Sequence, residues 1–164
     1  MDELFLQNLI DEKFDKYLLF INAGGPYAAI KILGEVYNCI SRLDKSKQFQ
    51  WLERLREEQL SESQIQIVIG ELEEDVKTIE HLLSCFEVWI VEELILILGL
   101  RMEVDLVIAV LEEIWYQQTN IDLKTIDERI LEISMAEDSK RPFKAAVSSI
   151  RKNWGMPITN QWLN

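Results

Sequence analysis

The stretch SESQIQIVIGELEEDVKTIEHLL, Ser61 to Leu83, decides how the chain is read. Ile65, Val68, Leu72, Val76, Ile79 and Leu83 recur at three- and four-residue steps, which on an α-helix line up along one face. The spacing suits a seam packed along a neighbouring helix, over too few heptads for a free coiled coil. Just ahead, Ser61-Glu62-Ser63-Gln64 matches a capping box: Ser61 accepts from the Gln64 amide while the Gln64 side chain reaches back. A helix is therefore predicted to start near Glu62, with Glu71, Glu74 and Asp75 sharing one of its faces.

Outward toward the N-terminus, Leu6, Leu9, Ile10, Phe14, Tyr17, Leu18 and Ile21 repeat the same periodicity and predict a helix over residues 2–22. Gly24-Gly25-Pro26 ends it. Proline fits a first helical turn, and Ala29, Leu33, Val36, Tyr37 and Ile40 define a second helix to about Leu43. After an Asp44-Lys45-Ser46 turn comes a third helix, over about 47–59, with Phe49 or Gln50, Leu52 and Leu55 inward.

Toward the C-terminus, Gly99 and Arg101 interrupt an apolar and acidic pattern, predicting two helices over about 84–98 and 102–118. Thr119, Asn120 and Asp122 form a polar break. A helix over about 123–135 carries Ile126, Ile130, Leu131 and Ile133 or Met135, and Asp138-Ser139 opens a last one, about 140–153, with Pro142 in its first turn. No window shows the period-2 alternation of a hairpin, and no repeat of 33–47 residues recurs. The expected fold is all-α: a single-domain irregular bundle of about seven or eight mostly antiparallel helices over residues 1–154, followed by a tail, 155–164.

At 164 residues and 48% hydrophobic, the chain can bury a core without disulfide or metal staples. Its longest apolar run, Leu94 to Leu100, falls far short of the roughly 20 residues that span a bilayer, so no membrane segment is expected. Met1-Asp2-Glu3 lacks the basic start of a secretory signal. Cys39 and Cys85 lie far apart in apolar helical patterns, which reads as buried, reduced thiols and a cytoplasmic setting.

Charge is distributed unevenly. Between Glu58 and Glu113 fourteen acids face only Lys77 and Arg101, so this third of the chain carries a charge equal to the whole net charge of −12. An acidic field repels phosphates and speeds encounter with basic proteins; equally, acids simply solvate outer helix faces. The segment from Asp138 onward reverses the sign, with Lys140, Arg141, Lys144, Arg151 and Lys152 against one acid. On that helix Phe143, Val147, Ile150 and Trp154 make an apolar seam with the cations beside it. Ile158, Trp162 and Leu163 supply apolar anchors in the tail, which either folds back or enters a partner's groove.

Motifs with chemistry are nearly absent. His81, the only histidine, lies between Ile79 and Leu83, near the surface, and no HExxH, CxxC, P-loop, nucleophile elbow or dinucleotide fingerprint occurs. Cys39 or Cys85 would pair with His81 only by spatial accident. Facing carboxylates such as Glu71, Glu74, Asp75, Glu92-Glu93 and Glu112-Glu113 can hold Mg²⁺ or Ca²⁺, yet no EF-hand loop accompanies them. The expectation is a non-catalytic protein-protein interaction module (adaptor, accessory subunit or inhibitor) without cofactor or metal. It would bind a protein with a basic surface through Glu71, Glu74, Asp75, Glu92 and Glu93, or use the C-terminal helix and tail, and homo-oligomers are compatible with it. One alternative is a helical small subunit of a nucleoprotein complex, touching nucleic acid through the C-terminal basic helix. Another is an enzyme using carboxylates and a divalent metal.

Overall fold

The computed structural model describes residues 2–85 and 87–154, the side chain of Trp154 excepted. Among the described residues there are seven α-helices and no strand: α1 (Glu3–Asn22), α2 (Pro26–Ile40), α3 (Lys45–Glu57), α4 (Glu62–Cys85), α5 (Val91–Ile108), α6 (Lys124–Met135) and α7 (Lys140–Trp154). A π-helical turn, Ala109–Ile114, continues directly from α5. The chain is all-α. Among the described residues no helix is long and apolar enough to cross a membrane.

Local chemistry sets the starts. Asp2 accepts from the Leu4 amide, and Asp44, the cap of α3 rather than a turn residue, accepts from the Lys47 amide at 3.0 Å. Pro26 opens α2 behind Gly24, whose φ of 82° suits a residue without a Cβ. The capping box of α4 is formed both ways: the Gln64 amide donates to Ser61 Oγ at 3.3 Å and the Ser61 amide to Gln64 Oε1 at 3.0 Å. All six stripe residues of α4 are buried.

Contacts gather into two compact units, with boundaries inside α4 and α5. The first holds the chain up to Leu72 together with Asp105–Thr119. Here α1 and α2 form a helical hairpin, burying Leu6, Ile10, Phe14 and Tyr17 with Ala29, Ile30, Leu33, Val36 and Ile40. Gly34 lets α2 approach α5: a Cβ there would lie 2.6 Å from Leu106 Cβ and 2.8 Å from the Leu106 carbonyl oxygen. The short α3 buries Leu55, but Phe49 is 57% exposed, Gln50 is exposed and Leu52 is half-buried, so the predicted inward row of α3 is narrower than expected. Its main aromatic contact is instead Trp51, set edge-on to Phe14 at 5.7 Å beneath the Arg54 guanidinium.

The second unit holds Glu73–Val104 and the described residues after Thr119. In it α6 and α7 pack together, and Ser139 Oγ donates to the Ile133 carbonyl at 2.7 Å in the joint between them. Ile126, Ile130 and Ile133 are buried and Met135 is exposed, so of the two residues offered for the end of the stripe Ile133 takes the place, whereas Leu131 lies on the outer side of α6, contrary to the predicted stripe. Arg101 is buried and joined to Asp127 by two bonds, Nε to Oδ1 at 2.7 Å and Nη2 to Oδ2 at 2.9 Å.

The expected break at Gly99-Arg101 does not occur. One helix, α5, runs through both residues, and α4 extends to Cys85 in place of a new helix beginning near residue 84. A helical glycine forgoes only about 1 kcal/mol relative to alanine. Burial of Leu94, Ile97, Leu98, Met102 and Val104 on either side outweighs that, and Arg101 finds its counter-charge in α6. Trp89, expected inside a helix, is buried in the linker before α5 with the Arg129 guanidinium over its ring.

Candidate functional site

The sequence points to two charged faces, and α4 carries the first. With its seam buried, Glu71 and Glu74 stand exposed on the outer side of the helix together with Glu73 and Glu80, while Asp75 is half-buried nearer the seam. Lys77 pairs with Glu74 at 3.4 Å, an exposed contact of little energetic weight. Glu92 is exposed in the first turn of α5, where the helix dipole favours a carboxylate. Glu93 turns partly inward: its Oε2 is buried and accepts no hydrogen bond among the described residues. Among the described residues no cluster of three or more His, Cys, Asp or Glu side chains is placed to share a metal ion.

The second face belongs to α7. Phe143, Ala146 and Ile150 are buried and Val147 half-buried, so three of the four predicted seam residues face inward with Ala146 as an added member, while the side chain of the fourth, Trp154, lies outside the described residues. At 100° per residue, Arg141, Lys144, Arg151 and Lys152 fall within an arc of about 100° opposite that seam. All four are exposed, and no acid occurs anywhere in α7. Lys140 differs, lying half-buried and paired with Glu137 at 3.1 Å. Ile158, Trp162 and Leu163 lie outside the described residues.

Two arrangements depart from the sequence reading: the first is a pairing expected only by spatial accident, which one turn of helix supplies directly, and the second carries no sequence expectation. His81 and Cys85 are one helical turn apart, both exposed, with Cys85 Sγ 3.3 Å from His81 Nε2. Cys85 was expected to be buried; the seam ends at Leu83 and the thiol points to the outer side of α4. The spacing of four was readable, but whether that face would be covered was not. At the end of the π-helical turn, Tyr116 adopts a left-handed φ of 56° while 73% exposed. Arg56 holds it: the guanidinium lies 5.3 Å from the ring centre, Nη2 donates to the phenol oxygen at 2.9 Å, and Nε donates to the Ile114 carbonyl. Beside them Tyr37 donates to Glu113 at 2.6 Å, and Glu112 accepts from both the amide and the hydroxyl of Thr119. Non-glycine residues in this region are strained and need such support.

Proton affinities are perturbed mainly at packing joints of the first unit. Burial, reinforced by the bond to Glu113, pushes the Tyr37 phenol up to about 12. Burial raises Tyr17 as well, with its hydroxyl donating to the Glu58 carbonyl. It also pushes the Cys39 thiol up, which keeps that residue a protonated, unreactive packing group. Asp44 is held below the usual carboxylate range by the Lys47 amide and the Ser46 hydroxyl, as its capping role requires. None of these groups lies on either charged face.

No family model, no curated protein and no solved structure matches the chain.

Proposed function

We propose that the protein is a non-catalytic interaction module working in the cytoplasm, where Cys39 and Cys85 remain thiols, and that it docks a protein of basic surface through the outer face of α4. The observation that carries this reading is the placement of opposite charge on two exposed helical faces, each backed by a buried seam. Glu71, Glu73 and Glu74 crown α4, whereas Arg141, Lys144, Arg151 and Lys152 crown α7. Exposed charge of one sign steers encounter and selects partners more than it tightens them. The apolar tail residues Ile158, Trp162 and Leu163 would add affinity where charge supplies orientation. Self-association of an acidic face with a basic one is compatible with the same chemistry.

A second reading rests on α7 alone: four exposed cations without an acid among them can track a phosphate backbone. Fluorescence anisotropy with a labelled random-sequence oligonucleotide, single- and double-stranded, separates the readings. Binding at low salt that disappears when Arg141, Lys144, Arg151 and Lys152 are all changed to Gln would favour the nucleoprotein subunit. For the leading reading, capture from the source cell is run with wild-type protein and with a Glu71→Lys, Glu73→Lys, Glu74→Lys variant. A partner retained by the wild type, lost by the variant and released as salt rises supports it; a partner indifferent to both removes α4 as the docking face.

A further inference from the structure

We propose that His81 and Cys85 chelate one thiophilic divalent cation of the Zn²⁺ type, with Nε2 and Sγ as ligands. Residues four apart on a helix face the same way, and here the two donor atoms already stand 3.3 Å apart. Zinc holds sulfur at about 2.3 Å and imidazole nitrogen at about 2.0 to 2.1 Å, so a tetrahedral ion spaces two such ligands by about 3.5 Å. The pair needs only a small opening to accept it. Both side chains are exposed, and both belong to the outer side of α4, away from the buried seam that ends at Leu83.

The surroundings favour a cation. Cys85 is the last residue of α4, where the carbonyl end of the helix carries partial negative charge. Glu80 and Glu87 are exposed beside the pair in sequence, and Lys77 is the only cation on α4. The donor set also selects the metal: thiolate with imidazole suits Zn²⁺ or Co²⁺, whereas Mg²⁺ and Ca²⁺ want oxygen. The Cys85 thiol gives its proton to solvent on binding, and the imidazole coordinates neutral. With two protein ligands, water fills the remaining positions, and the site is an open one.

Titration of the reduced protein with Co²⁺ tests this. Saturable growth of a thiolate-to-cobalt charge-transfer band at one ion per chain, displaced by Zn²⁺, is expected. Cys85→Ser should abolish the band, and His81→Asn should weaken binding by about tenfold or more. Both positions are exposed, and circular dichroism of each variant checks that the helices persist. An independent readout uses the wild type alone: Zn²⁺ should slow alkylation of Cys85 by iodoacetamide, with Cys39 as the buried reference thiol in the same digest. A band that survives Cys85→Ser, binding that does not saturate, one ion per two chains, or alkylation of Cys85 unaffected by Zn²⁺ would each overturn the site.

Discussion

Helices α4, of 24 residues, and α5, of 18, have opposite designs. In α4 the apolar residues keep to one stripe, so its buried face follows from spacing alone and the outer face is left free for charge, His81 and Cys85. In α5 they occupy most of the circumference, and burial at Leu94, Ile97, Leu98, Met102, Val104 and Val107 follows no single row. A stripe determines orientation; a helix apolar all round leaves its course and its end to whatever packs against it. At the end of α5 that packing widens the helix. The Trp115 amide reaches the Val110 carbonyl at 3.1 Å, five residues back, and the indole Nε1 donates to the Leu55 carbonyl at 3.0 Å.

The largest effect expected is on the stripe. Leu72 and Ile79 are fully buried, and truncating either to alanine should destabilise by about 2 to 5 kcal/mol in chemical denaturation. Near-neutral values at both would mean that α4 is held by something other than its seam. For α5 the corresponding test adds bulk. Gly34→Ala places a methyl group against Leu106 Cβ and the Leu106 carbonyl, and backbone cannot rotate away as a side-chain tip can. A loss of about 1 to 3 kcal/mol follows. Tolerance of alanine there would show that α2 and α5 are free to separate.

What was legible before the structure divides along the same line. The capping box and the α4 stripe are local patterns and appear as read, and of the α7 seam Phe143 and Ile150 are buried and Val147 half-buried. The break at Gly99-Arg101 was misplaced because its resolution is tertiary: the counter-charge to Arg101 sits on Asp127, twenty-six residues later. Leu131 falls outside the stripe because Ile126, Ile130 and Ile133 already fill it. Of the charged faces, sequence shows the residues but not their exposure: Lys140 and Glu93 turn partly inward, whereas Arg141 and Glu71 do not.

Next in size is the joint that widens α5. Trp115→Phe keeps an aromatic ring but removes the indole donor, leaving the Leu55 carbonyl with the Glu58 amide alone at 3.3 Å and a gap where the indole nitrogen lay, and about 1 to 2 kcal/mol should be lost. Amide exchange at Trp115 and Gln117 should quicken at the same time, since their bonds to Val110 and Leu111 depend on the wide turn. Unchanged exchange with lowered stability would mean that the π-helical turn is intrinsic to its own residues.

The smallest effect at neutral pH is expected at Tyr37, whose hydroxyl bonds to Glu113 at an exposed edge of the same region. Tyr37→Phe should change stability by at most about 1 kcal/mol near pH 7, because water competes for that bond. The consequence lies at alkaline pH. The unfolded phenol ionises near 10, and in the folded chain burial and the Glu113 carboxylate push it up to about 12. Below about pH 10 both states hold the proton and the contribution of Tyr37 is fully present; between about 10 and 12 only the unfolded state releases it, so the contribution is lost as pH rises. Wild-type stability should therefore fall more steeply than that of Tyr37→Phe across this interval. Parallel profiles would mean that Tyr37 titrates as an ordinary surface phenol and that the edge between α2 and the π-helical turn is looser than the 2.6 Å bond implies.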